Sequence, residues 1–163
     1  MAVHRTFLTD DGQKAPVKSV KKMWGPYKGT SMRLARGRSG VSPAKAFEDG
    51  VRDDIVIVTE GIEDAITAAL QWPDARVMAA GALGNLGSVP IYPCAGQYIV
   101  VQDNDSEAVQ RTFNVQLDKL ASRIQVARDR RGQRIALDTK RVKAGHKDLN
   151  ALWMATLAAG EMV

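Results

Sequence analysis

One cysteine, Cys94, stands alone in 163 residues, so no disulfide can close within the chain and no multi-cysteine zinc site can be built. Two isolated histidines, His4 and His146, add no ligand cluster, and zinc is not expected. No apolar stretch reaches the roughly 18 residues that span a bilayer. Met1-Ala2-Val3-His4-Arg5 also lacks the apolar core of a signal peptide. No membrane partner is expected, and a reducing cytoplasm suits the chain. Internal repeats and low-complexity tracts are missing as well. What remains is 45% hydrophobic, enough for one well-cored domain and too little for two generous ones.

Charge is present, and it is segregated. Residues 1–47 carry a net +8, residues 48–118 a net −9 and residues 119–163 a net +6, within a total of +5. An acidic centre between basic flanks suits a metal site acting on a polyanion, because cations hold phosphates while carboxylates hold the metal. Solvated charged faces on an ordinary basic protein are the plainer alternative.

Val3 to Leu8 alternates as a strand does, and Asp10-Asp11-Gly12 signals a hairpin turn into a second short strand near Lys14 to Val17. Lys18 to Gly40 is basic and rich in breakers, with one further strand expected around Ser31 to Leu34. Ser42-Pro43 can start a helix that stops by Gly50. From Asp54 the pattern alternates: strand 54–59, helix 63–72, strand 76–80, a glycine-rich turn or short helix 82–87, strand 97–102. Such alternation predicts parallel strands joined by crossovers. Val109, Phe113, Leu117, Leu120, Ile124 and Ala127 recur at spacings of three and four, predicting a helix over 106–128 that Gly132 ends. A strand over 134–137 and a helix over 148–157 complete the chain. The expected organisation is a small basic β-containing lobe, residues 1–50, before an α/β domain, residues 51–163.

The two clearest strands end in acids. Ile55-Val56-Ile57-Val58 leads to Glu60, and Tyr98-Ile99-Val100-Val101 leads to Asp103-Asn104-Asp105. Ligand sites of open parallel sheets lie outside the carboxyl ends of the strands, so three carboxylates can meet there. They would repel one another unless a hard cation joined them. A divalent metal is therefore expected, with phosphate chemistry as its usual partner. Taken alone, an Asp-x-Asp after a strand is often no more than a helix-capping turn. Positions 60 and 64 share one face at a helix start, so Asp64 could hold a metal-bound water. Glu63 reads as an acid that faces solvent or complements the helix dipole. Gly81, Gly84 and Gly87 are too loosely spaced to identify a phosphate loop.

In order along the chain, Thr59-Glu60-Gly61-Ile62-Glu63-Asp64-Ala65, then Gly81 after a strand, then Asp103-Asn104-Asp105, then Gly145-His146-Lys147-Asp148-Leu149-Asn150 resemble the motifs of a Toprim domain. The match is most similar to the Toprim modules of phage and plasmid primases and covers roughly residues 54 to 155. The segments around His4-Arg5-Thr6-Phe7-Leu8 and Lys22-Met23-Trp24-Gly25-Pro26 also resemble what precedes Toprim in such proteins. The resemblance implies a compact Rossmann-like α/β fold, a mostly parallel sheet flanked by helices, in which the glutamate and the Asp-x-Asp pair organise magnesium, or manganese, for phosphodiester formation or cleavage. It places Glu60 in acid/base chemistry or metal assistance, Asp103 and Asp105 as the metal pair, and Asp64 as a second acid one turn on. Gly61 frees space beside the acid. Lys147 and Asp148 match a Gly-Lys-Asp-like segment from which this chain departs, because His146 intervenes.

Lys21, Lys22, Arg33, Arg36 and Arg38, interleaved with Trp24 and Tyr27, are expected to bind nucleic acid, since bases stack on aromatics while cations track the backbone. Lys147 is expected to contribute from the other flank. The leading expectation is primase-type synthesis on a single-stranded DNA template from nucleoside triphosphates, in phage, plasmid or mobile-element replication, with a helicase or other replication subunit as a possible partner. Two alternatives stand beside it: a Toprim nuclease or nicking enzyme, and a binder or inhibitor that keeps the fold without turnover.

Overall fold

The structure, a computed structural model, describes residues 3–11 and 15–160. Its elements run β1 (Val3–Thr6), β2 (Lys21–Trp24), β3 (Met32–Arg36), α1 (Pro43–Glu48), β4 (Asp54–Thr59), α2 (Ile62–Gln71), β5 (Arg76–Ala79), α3 (Leu83–Leu86), β6 (Ala95–Gln102), α4 (Glu107–Arg131), β7 (Ala136–Arg141) and α5 (Leu149–Ala158). β1 and β2 form a two-stranded antiparallel sheet. The other five strands form one sheet in the order β3-β5-β4-β6-β7, parallel except for β3, which pairs antiparallel with β5 at the edge. This is an α/β, Rossmann-like arrangement.

The central parallel strands are largely apolar because both of their faces are covered. Val56, Val58, Met78, Tyr98 and Val100 pack with Ala46 of α1, Leu86 of α3 and Phe113, Leu120 and Ile124 of α4. Ile57, Val77, Ala79 and Val101 form the second core with Ala65 and Ala68 of α2 and Leu149 of α5. Leu120 is fully buried, so its truncation to alanine would cost about 2–5 kcal/mol. Gly132 ends α4 at φ 61°, the left-handed stop expected of it.

Two strands differ from expectation. Among the described residues, Ala15 to Val17 form no strand, and Pro16 lacks the N–H that a ladder needs; Lys14, like Gly12 of the expected turn, lies outside the described residues. The partner of β1 is β2 instead, with His4 opposite Met23 and Thr6 opposite Lys21. The last strand starts at Ala136 rather than 134 and continues to Arg141. Its polar residues Asp138 to Arg141 carry no hydrophobic signal because β7 is a solvent-facing edge, where charged side chains guard against further pairing.

At the amino ends of the parallel strands, Arg76 is almost fully buried. Its Nε donates to Asp54 at 2.5 Å, Nη1 to the Val41 carbonyl at 2.9 Å and Nη2 to Ser39 Oγ at 2.9 Å. The 39–41 loop is thereby tied beneath β4 and β5. No helix among the described residues is long and apolar enough to cross a membrane.

Candidate metal centre

From β4 the chain passes through α2 to β5 on one side, whereas β6 lies on the other side of β4. The carboxyl ends of β4 and β6 therefore flank the point where strand order reverses, the place where open α/β sheets bind ligands. Glu60 leaves β4 there and Asp103 leaves β6. Thr59, itself buried, donates its hydroxyl to the Gly61 carbonyl at 2.7 Å and shapes the turn that presents Glu60. Beyond the end of β5 the ladder continues, as Ala80 N donates to the Thr59 carbonyl at 2.8 Å and Gly81 N to that of Glu60 at 2.9 Å. Gly81 has φ 81°, and a Cβ there would come within 2.6 Å of the Met23 methyl. Only glycine suits that position. At Gly61 a Cβ would crowd the Asp64 carboxylate at 3.1 Å.

On the β6 side the turn is held by Asn104. Its backbone N–H donates to the Lys147 carbonyl at 2.7 Å. Its side-chain amide donates to the carbonyls of His146 at 2.7 Å, Val142 at 3.0 Å and Lys143 at 3.2 Å, while its Oδ1 accepts from Arg141 Nε at 2.8 Å. Gln110 Nε2 donates to the Asp105 carbonyl at 2.9 Å. The flanking acids are not used to start α4, whose N-cap is Ser106. A plain capping turn thus does not account for Asp103 and Asp105.

Ligand oxygens of Glu60, Asp103 and Asp105 lie within 4.8 Å of one another, each side chain half-buried. Two oxygens on one magnesium at about 2.1 Å can be no more than about 4.2 Å apart, so a shift of roughly half an ångström would bring all three into one coordination sphere. The set is all-oxygen and anionic, the donor type preferred by hard cations. Burial, then the charges of Asp64, Glu60, Asp148 and Asp105, push the Asp103 carboxyl up from 3.8 to about 7. Burial and the Asp105 charge raise Glu60, with the Leu83 amide and Lys21 partly offsetting them. Without a cation these carboxylates do not all ionise readily; a divalent ion would reverse that balance.

Asp64 lies alongside, buried in the first turn of α2, and accepts the Asn150 backbone N–H at 2.9 Å. Burial raises its pKa, and Asp148 adds to the effect. Asp148 caps α5 by accepting from Ala151 N at 2.8 Å. Asp148, the acid of the last motif, thus joins the same electrostatic cluster, although Lys147 beside it is exposed and enters through its backbone carbonyl. Thr67 ties α2 to α5 by donating to Asn150 Oδ1 at 3.1 Å.

The basic residues divide. Lys21 pairs with Glu63 at 2.9 Å and lowers the pKa of both Glu60 and Asp64, so it belongs to the acidic edge. Glu63 is thereby a tether between β2 and α2, not only a dipole acid. Lys22 neighbours Trp24 on exposed positions of β2, and Arg5 lies 5.8 Å from the Trp24 ring. Arg33 is exposed opposite Met78. Arg36 is paired with Arg76 at the amino end of β5, and Arg38 reaches Asp74 at 3.4 Å. At about 3.3 Å per residue, this places Arg36 roughly 10 Å from the acidic edge along the strand direction. The structure therefore brings Lys21 to the acids and leaves Arg36 and Arg38 at the other end.

Asn104 and Asn150 carry much of this architecture, yet neither has a sequence signal for these contacts, because their partners lie in segments distant in the chain. The three acids line a narrow cleft with Leu83, Leu86, Val101, Val109 and Phe113, whose enclosed space of about 10 Å³ approximates one water-sized sphere.

A family described as a domain of unknown function, DUF7146, matches residues 1–34, the stretch that carries β1, β2 and the start of β3. Comparison with curated proteins gave no match. Comparison with solved structures gave none either.

Proposed function

We propose that this chain is a Toprim-type nucleic-acid enzyme, primase-like, that joins nucleotides by metal-dependent phosphodiester formation. The observation that carries the reading is the meeting of Glu60, Asp103 and Asp105 within 4.8 Å at the strand-order reversal. The order of the four motifs, Glu60-Gly61, Gly81, Asp103-Asn104-Asp105 and Lys147-Asp148, supports it. Magnesium or manganese, when bound, would supply charge stabilisation to the phosphoryl group under attack and to the leaving pyrophosphate.

Asp103 and Asp105 would hold that ion, with Asp64 set to fix a water beside it. Glu60 is suited to proton movement, because its raised pKa brings it nearer neutrality, where an acid/base group works best. Lys21 would offset the negative charge of an incoming phosphate beside the acids. Single-stranded DNA is the proposed template and nucleoside triphosphates the substrates. The test is labelled-nucleotide incorporation on single-stranded DNA with magnesium or manganese, alongside a plasmid-nicking control and with candidate replication partners supplied. Metal-dependent product that grows with template supports synthesis. Cleavage without incorporation would make the domain a nuclease, and no product under any condition would make it a binder.

A further inference from the structure

A second cleft, of about 220 Å³, opens between the two-stranded sheet and the edge of the main sheet. It is lined by His4, Met23, Tyr27, Thr30, Ser31, Met32 and Ala80. Its walls are pre-set by a buried side chain. Asn85, 1% exposed, accepts from Gly29 N at 2.8 Å and donates to the carbonyls of Thr30 at 2.9 Å and Ala80 at 2.8 Å. The Tyr27–Thr30 turn is closed by Thr30 N and Thr30 Oγ1, which donate to the Tyr27 carbonyl at 3.0 and 2.6 Å. Loop and sheet are thus locked together around the cavity. Gly81 completes it: a Cβ there would strike the methyls of Met23 and Met32, both of which form the wall.

Among the described residues, no Lys, Arg, Asp or Glu lines this cleft. A phosphate would find no permanently charged partner among these residues. A flat uncharged ring would find an aromatic face in Tyr27, two polarizable thioethers, and hydroxyl and imidazole groups for its polar edge. The volume lies below the roughly 300–1,000 Å³ of pockets for drug-sized molecules and suits a smaller group. Position adds to this. Ala80 in the wall is followed by Gly81, which is bonded to the Glu60 carbonyl, so the cleft adjoins the acidic edge.

We infer that this cleft is a nucleobase site: a nucleotide seats its base against Tyr27, Met23 and Met32 while its phosphates pass Gly81 toward Glu60, Asp103 and Asp105. The second half of that statement rests on the metal-dependent reading above; the first does not. Tyr27 would serve as a specificity-determining residue, and Trp24, on the exposed side of β2, would not share its role.

The test is an NMR titration of the full chain with the four ribonucleosides in EDTA, then with the corresponding triphosphates with and without magnesium. Expected are shifts of the Thr30, Ser31, Met32 and Ala80 amides by nucleosides without metal. Tyr27→Ala should weaken nucleoside binding roughly tenfold or more, in line with the loss of one base–aromatic stack, and Tyr27→Phe should restore it. Nucleosides that leave these amides unmoved, or that bind wild type and Tyr27→Ala alike, would overturn the base site. Triphosphate binding that magnesium does not strengthen, with the nucleoside shifts intact, would leave the base site standing and remove its link to the acids.

Discussion

The two ends of the parallel sheet each bury charge, and they treat it in opposite ways. At the amino end Arg76 and Asp54 neutralise each other, and each terminal guanidinium nitrogen donates one further bond, to the Val41 carbonyl and to Ser39 Oγ. At the carboxyl end Glu60, Asp103 and Asp105, with Asp64 and Asp148 behind them, crowd together; Lys21 acts on Glu60 and Asp64, and Asp103 is raised to about 7. A buried charge that is fully partnered holds a fold; a cluster left short of counter-charge is a place for something else to bind. The contrast divides this molecule into a charge-balanced end and an acidic end.

Substitutions at the two ends should therefore fail in different ways. The largest effect is expected from Glu60→Gln, which should keep the fold and most nucleic-acid affinity yet lower turnover by about 10²- to 10⁴-fold. Product formation at saturating nucleic acid measures it, and equal rates would remove Glu60 from the chemistry. Asp103→Asn with Asp105→Asn should abolish magnesium or manganese binding in calorimetry; unchanged affinity would mean the metal sits elsewhere. Arg76→Ala should do the reverse, destabilising the fold by about 3–5 kcal/mol in denaturant titration by leaving Asp54 uncompensated. A cost under about 1 kcal/mol would dissolve the contrast between the ends.

A smaller effect is expected in the absence of metal. Because the Asp103 carboxyl is raised from 3.8 to about 7, the folded state holds an extra proton across that window, and stability falls as pH rises through it. Asp103→Asn should accordingly stabilise the metal-free protein at pH 8 by about 1–2 kcal/mol after solvent screening, a gain of roughly 2–6 °C in Tm. Near pH 4 the gain should vanish. A variant no more stable than wild type at pH 8 would contradict the crowding. The finest test compares basic residues: removing the charges of Lys21, Lys22 and Arg33 should flatten the salt dependence of single-strand binding by about 0.7 in slope per lost contact. Removing those of Arg36 and Arg38 at the far end should change it less.

Much of the acidic end was legible because its signals are local: an apolar run followed at once by an acid gives both the strand and the position of its end. The central elements from Asp54 to the end of α4 follow from the same kind of pattern. What escaped was non-local or patternless. The hairpin signal points to a strand near Lys14, because it cannot reveal that pairing waits until Lys21. The end of β7 is unreadable because an edge strand of Asp138-Thr139-Lys140-Arg141 has no apolar alternation. The basic run from Lys21 to Arg38 looked like one surface, but β3 runs antiparallel to its neighbour, and that reversal carries Arg36 away from the acids. Trp24 and Tyr27 looked paired for the same reason, although only Tyr27 lines the inner cleft.

Asn104 makes the acidic turn and the 142–147 loop a single mechanical unit, bonded through one side chain and one backbone amide. The Asn104 amide, donating to Lys147, and the Asn150 amide, donating to Asp64, therefore sit as two clocks on either side of the acids. An occupant of the carboxylates would bear on both bonds, so slower hydrogen exchange at these two amides would report occupancy of the edge.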